Sequence, residues 1–181
     1  MHGHENVERV LLTNAQLLDR VGELAADLCR DYAGRDVVLV PVLTGAMVFC
    51  SDLMRRMPRP MKLGLLTVSS YPGKSTTSQG VTLWEQQFDT LADRVAGRHV
   101  VLIEDILDTG TTLRTLVPKL EGLGAASVKT CVLLKKLDRP EAADVPADYV
   151  GFEIPDAFVV GYGLDYDDEY RNLPDVCVLR P

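Results

Sequence analysis

Clustered positive charge is missing from this 181-residue chain. Its 19 Lys and Arg are outnumbered by 26 Asp and Glu, leaving a net charge of −7. A general nucleic-acid surface neutralises phosphates with grouped Lys and Arg, so no nucleic-acid partner is expected. An anionic small molecule remains open, because a local cradle of donors can oppose the global sign. Also missing is any apolar run near the ~20 residues that a membrane-spanning helix needs, so no membrane partner is expected. The N-terminus, MHGHENVERV, has no apolar signal-peptide core, and His2 and His4 are expected on a frayed end rather than on a metal. Cysteine is sparse. Cys29, Cys50, Cys131 and Cys177 are widely spaced with no Cys-x-x-Cys pair, and three lie inside apolar runs. That is the pattern of reduced, buried thiols in a cytoplasmic protein. Neither Gly-x-x-x-x-Gly-Lys-Ser/Thr nor Gly-x-Gly-x-x-Gly occurs, so P-loop and dinucleotide fingerprints are absent.

What is present is an ordinary soluble composition, 46% hydrophobic and 25% charged, at a length that suits one domain with a sizeable core. One stretch, His99 to Leu113, organises the rest. His99-Val100-Val101-Leu102-Ile103 is a β-branched and aliphatic run, the reading of a strand buried on both faces. Glu104 and Asp105 follow, then Ile106-Leu107, Asp108 and the turn Thr109-Gly110-Thr111-Thr112. Leu113, Leu116, Val117 and Leu120 then recur at helical spacing. The spacing predicts that a strand ends, a loop carries acids and hydroxyls, and a helix begins. In a parallel α/β sheet, ligands bind in the crevice at that point.

Thr109 to Leu113 places free backbone N–H groups and hydroxyls at a helix N-terminus, and Gly110 lets the backbone approach an anion closely. That chemistry suits one phosphate. The Glu104 and Asp105 carboxylates lie just ahead, where they can accept from a sugar diol. Helix capping alone accounts for Asp108 or Thr109, but not for two further acids abutting a buried strand. A ribose 5-phosphate site is the reading that uses all of them.

The segment IEDILDTGTTL resembles the phosphoribosyl-pyrophosphate motif of type I phosphoribosyltransferases. With Asp108 between the acid pair and the turn, it is similar to the 6-oxopurine branch, the hypoxanthine-guanine phosphoribosyltransferases. The similarity runs from about Leu11 to Val178. It implies an α/β fold of type I phosphoribosyltransferase form: a central, mainly parallel twisted sheet flanked by helices, with a small purine-binding hood. The whole chain, 1–181, is then one domain, with a core of about 10–135 and a hood of about 136–181.

Taken in order, Thr13 to Tyr32 is helical, with Thr13 or Asn14 as cap and Leu17, Leu18, Val21, Leu24, Ala25 and Leu28 as its apolar stripe. Val37 to Val42 is a buried strand. Leu43-Thr44-Gly45 and a helix through Met54 follow, a second candidate anion site on the same sheet edge. The resemblance implies that this loop binds pyrophosphate through backbone amides, with Thr44 standing where relatives often carry Lys. Met61 to Val68 reads as a strand. The long run of small polar residues from Ser69 to Gly80 reads as a lid, or equally as a plain surface loop. The resemblance favours a lid, with Ser70 and Tyr71 its matching pair.

Val128 to Leu134 is the next strand, with Lys135-Lys136 at its end. Two lysines there are also what a strand leaving the core shows. The resemblance assigns Lys135 as the donor to the purine O6. In the stretch YVGFEIPDAFVVGYGLDY it implies that Phe158 stacks on the base, that the Val159 backbone reads the N1 and C2 edge, and that Asp165 holds magnesium largely through water. On residue type alone, aromatics here also fit plain packing. Arg171 matches the family's pyrophosphate contact. The resemblance further implies Asp165 with Glu104 and Asp105 as the metal set, Mg2+ as the cofactor, and Asp108 as the catalytic acid–base group near N7.

The expected activity is therefore purine salvage, from phosphoribosyl pyrophosphate and hypoxanthine or guanine to IMP or GMP, in a cytoplasmic homodimer or homotetramer. Two alternatives stand beside it: a non-catalytic phosphoribosyl-pyrophosphate-binding regulator of the same fold, and a xanthine-preferring transferase.

Overall fold

The structure, a computed structural model, describes residues 6–68, 78–137, 139–142 and 144–180. It opens with strand β1 (Val7–Leu12). Thr13 then caps helix α1 (Asn14–Asp31) through a capping box: its hydroxyl accepts from Gln16 N, and Thr13 N donates to the Gln16 side chain at 2.9 Å. The α1 stripe of Leu17, Val21, Leu24, Ala25 and Leu28 is buried as its period demands. Strand β2 (Val37–Leu43) leads into helix α2 (Met47–Arg55). The strand expected over Met61–Val68 forms as two short pieces, β3 (Lys62–Leu63) and β4 (Leu66–Thr67). They flank Gly64, where a Cβ would overlap Leu91 and where the amide donates instead to Leu39 O. Helix α3 (Ser78–Val95) begins inside the Ser69–Gly80 run that reads as a lid or surface loop and continues over Trp84–Leu91, to which the sequence assigns no role. The remaining elements are β5 (His99–Leu107), α4 (Thr111–Gly122), β6 (Ser127–Lys136), β7 (Tyr149–Ile154), β8 (Val159–Val160) and β9 (Val176–Leu179).

The central sheet has the order β3-β2-β5-β6-β7, with β4 also on β2, and every pairing in it is parallel. Alternate residues of β2 and β5 feed opposite cores, as the two-residue pleat requires. Leu39, Val101 and Ile103 pack with α1 and α2, while Val38, Val40, Val100 and Leu102 pack with α3 and α4. Parallel order carries every β–α junction to one edge, so the β2–α2 and β5–α4 turns lie side by side. The second sheet is antiparallel, β1-β9-β8.

The two sheets divide the chain differently from the expected limits of 10–135 and 136–181. β7 pairs with β6 and belongs to the central sheet, while β1, from the N-terminus, pairs with β9 in the hood. Short strands cannot satisfy their backbone groups alone. The C-terminal pair therefore recruits a partner remote in sequence.

Candidate active site

β5 extends further than its apolar run. It continues to Leu107, so Glu104 and Asp105 stand within the strand rather than in the loop expected for them. The pairings Glu104–Val132 and Ile106–Leu134 with β6 hold the backbone extended there. Asp105 accepts from Ile106 N at 2.8 Å and lies directly against Gly45, where any Cβ would overlap its carboxylate. The β2–α2 loop and the β5 acids are thus in contact.

Burial pushes the Glu104 carboxyl well above its ordinary range, and the neighbouring Asp105 charge adds to the effect. Burial raises Asp105 too, opposed by its backbone hydrogen bonds. Such raised acids keep a proton in the folded state that the unfolded chain releases. Their contribution to stability is therefore lost as pH rises from the ordinary carboxylate range through the raised values. Glu104→Gln is expected to stabilise the ligand-free protein at neutral pH by about 1 kcal/mol, or roughly 2–4 °C in Tm at this length. The gain should shrink towards pH 4, which thermal melts across pH read directly.

Beyond Leu107 the turn has Gly110 in the left-handed region, φ 77°, as the N-cap of α4, with Val145 where a Cβ would stand. Arg114 N bonds back to Gly110 O at 3.0 Å, and Thr111 N reaches only Thr109 Oγ1 at 3.5 Å. Among the described residues, the amides of Gly110, Thr112 and Leu113 meet no internal acceptor. An open row of N–H groups at a helix N-terminus is what an anion needs. Gly110→Ala is expected to cost about 1–2 kcal/mol for the left-handed backbone, lowering Tm by roughly 2–8 °C, which thermal denaturation checks.

Asp108 is one corner of an ion-pair square with Lys136, Asp156 and Arg139. Lys136 Nζ donates to Asp108 Oδ2 at 3.1 Å and lies 3.1 Å from Asp156 Oδ1. Arg139 Nη2 donates to Asp156 Oδ1 at 2.8 Å. Arg139 Nε is 2.8 Å from Asp108 Oδ1, but off the angle for a hydrogen bond. The hydrogen bond from Lys136 holds the Asp156 carboxyl below its ordinary range.

This square corrects the lysine assignment. β6 runs through both lysines, so the pleat turns them to opposite faces. Lys135 pairs across the sheet with Glu153 on β7, at 3.7 Å. Lys136, 8% exposed, is the one that lines the cavity. Arg139 and Asp156 were not singled out from the sequence. Asp156 lies inside the stretch that carries Phe158, while nothing local in the sequence marks Arg139.

A crevice of about 1110 Å³ joins these parts. It is lined by Glu104, Asp105, the whole run Asp108–Leu113, Lys136, Phe158, Val159 and Asp165. A second lobe of about 780 Å³ shares Glu104, Asp105, Thr112, Phe158 and Asp165, and adds Leu43, Thr44, Gly45 and Arg171. The Leu43–Thr44 peptide in that lobe is cis. Phe158 is 54% exposed with its ring edge-on to Tyr166, centroids 5.5 Å apart. Arg171 pairs with Asp165 at 2.8 Å and donates to Gly163 O at 2.8 Å. Ser70 and Tyr71 lie outside the described residues.

Three carboxylates, Glu104, Asp105 and Asp165, line both lobes, and the buried Glu104 Oε2 has no hydrogen-bond partner. Among the described residues, no three His, Cys, Asp or Glu form a closed metal cage. That donor set fits magnesium, which keeps most of its waters and bridges a substrate's oxygens, better than a metal held by protein alone.

No helix among the described residues is long and apolar enough to cross a membrane. A family model described as "Phosphoribosyl transferase domain" matches residues 10–167. The chain is 42% identical over 178 residues to the hypoxanthine-guanine phosphoribosyltransferase of Bacillus subtilis, covering 97% of this chain and 95% of the relative. A crystal structure of a hypoxanthine phosphoribosyltransferase from Staphylococcus aureus superposes with TM-score 0.83 at 36% identity, covering 100% of this chain and 97% of the other. The Trypanosoma cruzi hypoxanthine phosphoribosyltransferase, solved in complex with the product IMP, gives TM-score 0.80 at 35% identity, over 99% and 94% of the two chains. With the likeness running along nearly its whole length in both sequence and fold, this chain belongs to the phosphoribosyltransferase family.

Proposed function

We infer that the chain performs purine salvage, transferring the 5-phosphoribosyl group of phosphoribosyl pyrophosphate to hypoxanthine or guanine, with release of pyrophosphate and formation of IMP or GMP. The observation that carries this reading is the meeting of Asp108 and Lys136 at 3.1 Å on the cavity wall that runs between the open amide turn and Phe158. A phosphate-binding module needs the turn alone. The acid–lysine pair beside an aromatic platform is what the incoming base requires.

In this reading the amides of Thr109 to Leu113 hold the 5′-phosphate, and Glu104 and Asp105 accept from the ribose hydroxyls. Leu43, Thr44 and Gly45 take the pyrophosphate with their backbone, and Arg171 takes it with its guanidinium. Phe158 stacks on the purine, Val159 reads the N1 and C2 edge through its backbone, and Lys136 donates to O6. A 6-amino group would face that ammonium unfavourably, which selects 6-oxopurines. Asp108 receives or stabilises the proton at N7 as N9 captures the oxocarbenium-like C1. Asp165, Glu104 and Asp105 would hold magnesium, which would supply charge neutralisation for the departing pyrophosphate.

A spectrophotometric assay with magnesium, phosphoribosyl pyrophosphate and each of hypoxanthine, guanine, xanthine and adenine tests the proposal. Turnover with the first two and none with adenine is expected. Tight phosphoribosyl-pyrophosphate binding without turnover of any base would point instead to the regulator, and a preference for xanthine to the other transferase. A homodimer or homotetramer, checked by light scattering, and a cytoplasmic location complete the proposal.

A further inference from the structure

The hood turn that carries Asp165 is held in a conformation that side chains rarely adopt. Gly161, Tyr162 and Gly163 all have positive φ, at 94°, 51° and 104°. Both glycines are required. A Cβ at Gly161 would overlap Asp175 O, and one at Gly163 would overlap Gly45 O in the β2–α2 loop. The middle residue nevertheless is a tyrosine, and it is 2% exposed. A large side chain in the left-handed region persists only where its surroundings over-determine it.

What determines it lies on the other lobe. The Tyr162 hydroxyl donates to Asp52 Oδ2 at 2.7 Å. Asp52 belongs to α2, the helix that begins directly after the Thr44–Gly45 loop, and its other oxygen lies 3.7 Å from Arg56. The backbone around Tyr162 then reaches Arg171: Tyr162 N donates to Leu173 O at 2.8 Å, Gly163 N to Arg171 O at 3.1 Å, and Arg171 Nη1 back to Gly163 O at 2.8 Å. One hydrogen bond therefore ties the hood strap, with Asp165 and Arg171, to the helix that carries the Thr44–Gly45 loop. It is the side-chain counterpart of the Gly163–Gly45 backbone approach.

We propose that Tyr162 and Asp52 form a positioning clasp that sets the distance between the two halves of the pyrophosphate site, Arg171 with Asp165 on one side and the Thr44–Gly45 loop on the other. The clasp rests on the assignment of those residues to pyrophosphate made above. It predicts a selective effect. Phosphoribosyl pyrophosphate spans both halves, whereas IMP, which lacks pyrophosphate, uses the Thr109–Leu113 turn and the base pocket. Phe158 itself is held by other bonds, through the β8–β9 pairing and Leu179 N donating to Phe158 O at 3.1 Å.

Tyr162→Phe removes one hydroxyl and keeps the ring. In calorimetric titrations with magnesium present, it is expected to weaken phosphoribosyl pyrophosphate about tenfold, the scale of a hydrogen bond to a charged group. IMP affinity should stay within about twofold. KM for phosphoribosyl pyrophosphate should rise in parallel while KM for hypoxanthine holds. Asp52→Ala should reproduce this, Asp52→Asn should restore near-parental values because the amide oxygen still accepts, and the double variant Asp52→Ala with Tyr162→Phe should be no worse than either single change. Equal losses for IMP and phosphoribosyl pyrophosphate, or unchanged affinity for both, would overturn the clasp. A parent protein that binds phosphoribosyl pyrophosphate without turning it over would refute the enzymatic reading alone, since the ratio of the two affinities still reads the clasp.

Discussion

Asp108→Asn is expected to lower kcat by about 10²–10⁴, the usual worth of a positioned acid–base group, while IMP still binds through the Thr109–Leu113 amides. The amide keeps the shape of the carboxylate but removes the charge that Lys136 contacts at 3.1 Å and Arg139 at 2.8 Å. Both cations would then share Asp156 alone. Steady-state kinetics at saturating phosphoribosyl pyrophosphate, with IMP titration alongside, separate the two effects. A variant that turns over at the parental rate would remove Asp108 from the chemistry.

Lys136→Ala is expected to raise KM for hypoxanthine and guanine by roughly 10–100-fold, the value of a hydrogen bond from a charged donor, and to narrow the discrimination against adenine. Lys135→Ala should leave both within about twofold. Lys135 meets Glu153 at 3.7 Å with both side chains partly exposed, 35% and 56%, and such pairs contribute little. Measuring the two neighbouring variants side by side makes this a sharp comparison. Should Lys135→Ala lose the base and Lys136→Ala keep it, the cavity wall has been assigned to the wrong face of β6.

The chemistry of the site was legible because it is mostly local. From His99 to Leu113 a buried run, an acid pair, a third acid and a small polar turn before a helical period follow one another without a break, and the part from Glu104 to Leu113 lines the cavity in the same order. The α1 cap and stripe were legible for the same reason: a capping box and a 3.6-residue period are written within a few residues of each other. The two lysines show where local reading stopped. Either residue satisfies composition and spacing, and the choice depends on how far β6 stays paired with β5 and β7 before it leaves the sheet. One residue of strand length exchanges the two faces.

The amino-acid order thus set α1, β2, α2, the buried part of β5, α4 and β6, and the open amide turn before α4, since periodicity, turn chemistry and capping act over a few residues. Folding in three dimensions decided the rest: Lys136 as the cavity's lysine, the Arg139–Asp156 pair around it, the loan of β1 to the hood, and the hold of Tyr162 on Asp52. Each of these joins groups distant along the chain or depends on which way a pleat faces at its last residue. Such contacts form only when the sheet's register and the hood's seating are complete.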